Sequence, residues 1–283
     1  MIRSLPNSPV YRNGYRLYVG LFFLFLVLPL IVISVLAFND SQFISLPWKG
    51  FTLDWFFANT DERVGLFADE DLLRSIGVSV LTATIMGILS LAVGTAAALL
   101  FVQEKFRGKN FLYFLAIAPL VIPGVILGIS IILTSTHAAG AIEKLTGWDP
   151  EFLSPGFWLV VLGQFSFGAT YVMLIVSARL KKFDHTLEEA ALSLKATKLQ
   201  AIRYITIPFL RPALISGFAV AFLISFSNFN TTIFLIGSDP TLPVELFTRI
   251  KFSSTPVLNA VSFMIVVVIT TFALINLYLD RKK

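Results

Sequence analysis

Six stretches of this chain lack any charged side chain for longer than a bilayer is thick: Leu17–Asn39, Ser75–Gln103, Asn110–Ile142, Phe152–Ala178, Pro212–Ser238 and Phe252–Leu279. A hydrocarbon core about 30 Å deep is crossed by about 20 residues rising 1.5 Å each. Lipid offers no partner to backbone amides and carbonyls, so such stretches close their hydrogen bonds internally as helices. Apolar content is densest at residues 17–38, 75–102, 111–134, 157–178, 213–236 and 257–279, and six spanning helices are predicted there. The first reads as a span rather than a cleaved signal peptide, because its apolar run is long and no small-x-small site follows it. The predicted fold class is all-α integral membrane, a single transmembrane domain over residues 1–283.

Two of these spans carry irregular patterns. Pro119 and Pro123 lie in the third. Each removes a backbone donor and clashes with the preceding turn, so this helix should be kinked or interrupted. The freed carbonyls must then face protein or water, and a pathway kink and a plain packing kink both fit. The fifth ends in Ser225-Phe-Ser227-Asn228-Phe-Asn230-Thr231-Thr232, polar at six of eight positions. That density suits a wet cavity or a helix interface, not lipid. Gln164 and Ser166 on the fourth span are placed similarly. Pro123, Gln164, Ser166, Ser227, Asn228, Asn230 and Thr231 are therefore the candidate pathway residues, with ordinary interhelical hydrogen bonding as the other reading of each polar side chain. Between the first two spans, the aromatic run Gly50–Phe57 reads as a short helix lying on the membrane surface.

Composition narrows the chemistry. Of 283 residues 56% are hydrophobic and 14% charged, about half the charge usual for a soluble domain. With no cysteine there is no thiolate or Cys-based metal site. The two histidines, His137 and His185, are too few and too far apart in sequence to suggest a metal or a catalytic triad. No acid or base lies inside a predicted span, so a proton relay has no obvious residue to use. An intramembrane enzyme is the poorest reading, because no nucleophile and base can be assembled.

The net charge of +5 is explained by its distribution. Sixteen of the 22 bases fall at the N-terminus (Arg3, Arg12, Arg16), in the second and fourth loops and in the tail (Arg281, Lys282, Lys283), while 12 of the 17 acids fall on the other side. Basic residues are retained in the cytoplasm, so both termini are expected there, and no nucleic-acid partner is needed. Trp48, Trp55, Trp148 and Trp158 lie in the outer loops or at an outer helix end, where amphipathic rings favour the headgroup layer.

The most informative segment is the cytoplasmic loop 179–212. Thr186 and Glu189 have the spacing of a capping box, so a helix should begin there. Leu187, Ala190, Ala191 and Leu194 recur at helical spacing and form an apolar stripe. At about two turns this helix is too short to be stable alone, so the stripe needs a partner surface. A second amphipathic segment, Leu199 to Ile205, is expected to end at Pro208 and lead into the fifth span.

Glu189-Ala190-Ala191, three residues, a turn position, nine residues and Ile205-x-Ile207-Pro208 together resemble the EAA loop of ABC importer permeases of type I, EAA-x3-G-x9-I-x-L-P. Lys195 stands where that family has Gly, and Ile207 where it has Leu. Over nearly the whole chain the similarity is greatest to the second permease subunit of spermidine/putrescine-type importers. It is carried also by Gly50-Phe-Thr-Leu-Asp-Trp55, Ala118-Pro-Leu-Val-Ile-Pro123, Leu242-Pro-Val-Glu-Leu-Phe247 and Thr255-Pro-Val-Leu-Asn-Ala260.

The resemblance implies a permease of the bacterial inner membrane with no catalytic residue and no cofactor of its own. ATP and Mg would be held by two copies of a cytoplasmic ATPase, consistent with the absence of a phosphate-loop motif here. Glu188, Glu189, Ala190, Ala191, Leu194, Lys195, Ile205 and Pro208 would couple to that ATPase through the 186–208 loop. A second homologous permease would complete the pathway, and a periplasmic or lipid-anchored binding protein would deliver substrate. Permeases of this type commonly carry acids where this chain has Gly124, Asn228 and Asn230, so its half of the pathway is polar but neutral. A polyamine or related amine-containing solute, amino-phosphonates, opines and compatible solutes all remain open. The alternative is an ion-gradient-driven secondary transporter or channel without an ATPase.

Overall fold

The computed structural model describes residues 9–44, 46–252 and 255–280. Arg3, Arg281, Lys282 and Lys283, which contribute to the charge bias, lie outside these residues. The chain is mostly helical and divides into two compact units, residues 74–247 and the two flanks 1–73 and 248–283. Among the described residues five helices are long and apolar enough to cross a membrane: Pro9–Leu36, Glu70–Gln103, Gly124–Thr146, Phe157–Leu180 and Lys198–Phe226. A further helix, Val257–Asp280, is 24 residues long.

In the flanking unit, α1 (Pro9–Leu36) buries none of its side chains, and its strongly apolar composition suits lipid. It starts earlier than the expected 17–38, so Arg12 and Arg16 are helical. The segment expected to lie on the membrane surface does otherwise. Only one turn, α2 (Asp54–Phe57), is helical, and Trp55 and Phe56 are buried with Ala37 and Ala260. Phe38, Phe56 and Phe263 pack with ring centroids 5.0–5.9 Å apart, Phe263 edge-on to the other two, and Trp55 Nε1 donates to the Asn39 carbonyl at 2.8 Å. Trp55 is thus a core residue and not a headgroup anchor, because a ring whose N–H finds a backbone acceptor is better buried than half-wet. A two-stranded hairpin follows, β1 (Asn59–Thr60) and β2 (Arg63–Val64). Arg63 bridges Asp40 at 2.6 Å and Asp54 at 2.9 Å.

In the central unit, α6 (Phe157–Leu180) buries 13 residues, as expected of a helix apolar all round. Its main neighbour is α9 (Ile207–Phe226), and Met86, Ala98, Val161, Val172, Met173, Val176, Leu180, Leu210 and Ala221 form the core. Helix α3 (Glu70–Gln103) packs closely on α6. A Cβ at Gly94 would sit 2.6 Å from the Ala169 carbonyl, and one at Gly168 would sit 2.6 Å from Ser90 Oγ. Without a hydrophobic drive inside lipid, such close backbone approach is what lets dispersion hold two helices together.

Two predicted spans are not continuous. The 111–134 helix is split into α4 (Lys109–Ile117), a 3-10 turn at Ala118–Leu120 and α5 (Gly124–Thr146). The cause is the pair Pro119 and Pro123, which cannot donate to the helical ladder. The 213–236 helix ends at Phe226, and a separate turn, α10 (Thr232–Leu235), follows. It also begins earlier than expected. α8 (Lys198–Ala201) runs through a π-helical turn at Ile202–Thr206 directly into α9, so Pro208 lies in the first turn of α9 and ends no helix.

Candidate coupling helix and substrate pathway

The Glu-Ala-Ala signature lies on α7 (Thr186–Ser193). Thr186 is not its capping residue. Asp184 Oδ1 accepts from the Thr186 amide at 3.0 Å and from the Thr186 hydroxyl at 2.8 Å. The Thr186 hydroxyl and amide hold the Asp184 carboxyl below its ordinary value. The capping box occurs one helix later, where Thr197 and Gln200 reciprocally bond at the start of α8.

The C-terminus of α7 forms a Schellman motif. The Lys195 amide donates to the Leu192 carbonyl at 2.9 Å, the Ala196 amide donates to the Ala191 carbonyl at 3.1 Å, and Lys195 has φ +66°. The turn therefore keeps the left-handed geometry that glycine adopts freely, with a lysine in it.

α7 has no buried residue. Leu187, Leu192 and Leu194 are exposed, and Leu199 and Tyr204 extend the apolar surface, Leu194 at 85% and Leu199 at 74% exposure. Glu189 and Ala190 are exposed with them, whereas Ala191, Ile205 and Glu188 are half-buried. Glu188 faces the bundle. Its carboxylate accepts from Gln103 Nε2 at 3.3 and 3.4 Å and from the Thr206 hydroxyl, and His185 Nδ1 is 3.6 Å away. Beside it Lys198 Nζ meets Glu104 Oε1 at 2.7 Å, which holds the Glu104 carboxyl below its ordinary value. Gln103, Glu104, Lys198 and Thr206 were not singled out from sequence. Gln103 is 85 residues from Glu188 and Glu104 is 94 from Lys198, so no local periodicity points to these pairs.

The polar residues of the fourth and fifth spans converge on the two helix breaks. Gln164, fully buried, donates to Thr232 Oγ1 at 2.7 Å and accepts from the Ser225 hydroxyl, joining α6, α9 and α10. Asn228 Oδ1 accepts from the amides of Thr231 and Thr232 at 3.2 and 3.3 Å and from Thr232 Oγ1 at 3.0 Å. That side chain replaces the ladder bonds lost where α9 stops, which is why the chain turns there. Thr231, buried, donates to the Gly124 carbonyl at 3.2 Å, so the break after α9 abuts the start of α5. A Cβ at Gly124 would lie 3.1 Å from Asn230 Cβ and from Thr231 Oγ1. Ser166 Oγ bonds the Gly163 carbonyl and Ser227 Oγ the Leu223 carbonyl. Of the seven candidate pathway residues, Pro123, Ser227 and Asn230 are exposed, Ser166 and Asn228 are half-buried, and Gln164 and Thr231 are buried with their polar groups paired. Among the described residues no cluster of His, Cys, Asp or Glu could hold a metal ion.

Residues 90–283 match the family of binding-protein-dependent transport system inner membrane components. The chain belongs to that family. The permease is 32% identical over 278 residues to the putrescine transport system permease protein PotI of Escherichia coli (strain K12), covering 97% of this chain and 94% of that one. It is 28% identical over 273 residues to the spermidine/putrescine transport system permease protein PotC of Haemophilus influenzae, covering 96% and 97%. Its fold resembles a chain of a bacterial ABC transporter that imports the acidic polysaccharide alginate, with a TM-score of 0.71 over 99% of both chains at 14% identity. A second alginate transporter structure, in complex with a periplasmic protein bound to an alginate pentasaccharide, matches at 0.71 over 93% of both chains at 18% identity. The permease is thus an inner-membrane component of an ABC importer, and a family dependent on binding proteins gives no support to the ion-gradient-driven alternative.

Proposed function

We propose that this permease forms half of an ATP-driven pathway for a small amine-containing solute of the polyamine class, and that α7 couples it to a cytoplasmic ATPase. The observation that carries the coupling role is the division of α7. Leu187, Glu189, Ala190, Leu192 and Leu194 are turned to solvent while Glu188 is held by the bundle. An eight-residue helix with an uncovered apolar face is not self-sufficient, and a docked partner supplies what it lacks. In this reading the six helices at 9–36, 70–103, 124–146, 157–180, 198–226 and 257–280 all span and make one permease domain, with both termini in the cytoplasm. A second permease chain completes the path, two ATPase copies hold ATP and Mg, and a periplasmic or lipid-anchored protein delivers the solute.

The solute class rests on the relatives named for putrescine and spermidine. Asn228 and Asn230 offer neutral oxygens that accept from ammonium groups, so the balancing charge belongs on the partner chain. Pathway access is assigned to Pro123, Ser227, Asn228 and Asn230, with Gln164, Ser166 and Thr231 shaping the walls behind them.

A mild-detergent pull-down of the tagged permease from its native membranes, read by mass spectrometry, tests the assembly. Recovery of an ATPase, a second permease and a binding protein that takes up putrescine supports the proposal. Recovery of the chain alone overturns the coupling role, and a co-recovered binding protein indifferent to polyamines overturns the solute class.

A further inference from the structure

Glu188 stands one residue before the Glu-Ala-Ala signature and turns toward the bundle, whereas Glu189 is exposed. Its side chain is 18% exposed, and its two oxygens are filled by groups from two different long helices. Gln103 is the last residue of the 34-residue α3. Thr206, fully buried, is the last residue of the π-helical turn and leads into α9. No side chain of α7 is buried, so little else fixes this helix to the bundle. A short helix pushed on its outer face would shift on its own unless it were tied down.

We propose that Glu188 is the positioning residue that makes α7, the end of α3 and the head of α9 move as one body, so that a displacement of α7 reaches both spans together. The proposal rests on the coupling role assigned to α7 and deepens it. Hydrogen bonds to an ionised acceptor are the strong ones, and this carboxylate, partly withdrawn from solvent, is screened less than an exposed one. Both Gln103 and Thr206 donate to it, so loss of the carboxylate releases two attachments at once. Glu189, exposed on the other face, has the contrasting task of meeting the partner.

The chain has no cysteine, so nitroxide labels can be placed at will. In the assembled transporter, labels at Ser193→Cys on α7 and Lys105→Cys just beyond α3 report whether the two move together when ATP and vanadate are added. With Glu188 present, the label distance is expected to stay single and unchanged on trapping. Glu188→Ala should broaden or shift it while the ATPase is still recovered in full. Glu188→Gln, whose amide oxygen still accepts from Thr206 and Gln103, should restore the single distance.

A distance in Glu188→Ala that stays single and unchanged overturns the proposal. So does loss of the ATPase from Glu188→Ala, which would make Glu188 a docking residue. If Glu188→Ala is not recovered folded, Gln103→Leu and Thr206→Val leave the outer face of α7 untouched and carry the same test. An unchanged distance in both overturns it. Failure of the parent protein to bring down an ATPase would sink the coupling role itself, an outcome separate from any of these.

Discussion

The Thr231 hydroxyl donates to the carbonyl of Gly124, 107 residues earlier in the chain, at 3.2 Å. This bond joins the two places where long helices are interrupted. Thr231→Val should cost about 1 kcal/mol, the net worth of one buried hydrogen bond. Gly128→Ala should cost more, because its Cβ would sit 2.9 Å from the Thr231 carbonyl oxygen, and backbone yields less readily than a side-chain tip. Thermal unfolding of the purified permease in detergent measures both, and a Gly128→Ala midpoint equal to the parent would mean the junction is looser than the geometry implies.

Gln164 is the second hinge-pin of the same region. Gln164→Leu fills the same space but strands the buried Ser225 hydroxyl, while the Thr232 hydroxyl keeps its bond to Asn228 Oδ1. Leaving buried polar groups unpaired costs about 1–3 kcal/mol. The expected result is a lower unfolding midpoint, and Gln164→Leu combined with Ser225→Ala should recover part of it. A double variant no better than the single one would point to a role for Gln164 beyond satisfying the Ser225 hydroxyl.

Lys195 invites the opposite change. A non-glycine residue in the left-handed region costs about 1 kcal/mol, and φ here is +66°. Lys195→Gly should therefore stabilise the end of α7 by about that amount while preserving both Schellman bonds. Slower hydrogen exchange of the Lys195 and Ala196 amides positions would register the gain. Reduced recovery of the ATPase with this variant would show that the lysine side chain is itself a contact.

In the flanking unit, Asp69 caps α3 through the Leu72 amide at 3.0 Å and takes a two-pronged bond from Arg249, whose Nη2 lies 2.9 Å from Oδ1. Burial pushes the Asp69 carboxyl up, but Arg249 and the backbone donors outweigh it and the net direction is down from 3.8. A carboxyl whose folded value is depressed contributes stability above its unfolded value, and the contribution is lost as pH falls through the folded value. Stability from this pair should be flat from neutral pH to about 5 and fall only below the ordinary carboxylate range of about 3.9. Unfolding midpoints for the parent and Asp69→Asn across that range check this, and curves that converge already near pH 6 would contradict it.

Much of the architecture was legible because lipid removes choices. The charge-free stretches locate long helices to within a few residues at Glu70–Gln103 and Phe157–Leu180, where no proline competes. Pro119 and Pro123 flagged the break in the third span, though not that α5 would begin as late as Gly124. Pro208 misled, since the helix running from Lys198 to Phe226 passes through it by way of the π-helical turn at Ile202–Thr206. The Thr186 capping box yielded to Asp184, whose side chain accepts from both the Thr186 amide and the Thr186 hydroxyl. At the site, the exposed half of α7 was readable from its stripe, but the Glu188 and Lys198 attachments depend on which helix ends the fold brings together. Trp55 shows the same limit, because a loop long enough to fold back can bury its aromatic rings against residues such as Ala37 and Ala260, far from it in sequence.

The π-helical turn at Ile202–Thr206 holds one more residue than an α-turn would, and one residue is about 100° of helical rotation. Everything on the α8 side of it is therefore turned by that angle relative to what a regular helix leading into α9 would present. Deleting a single residue from this turn would leave the span hydrophobic and helical, yet swing Lys198 off Glu104 and carry Leu199 to a different side. The outward surface of this segment is thus set by residue count as much as by residue type, and a one-codon deletion here would reorient it while changing the chain's composition hardly at all.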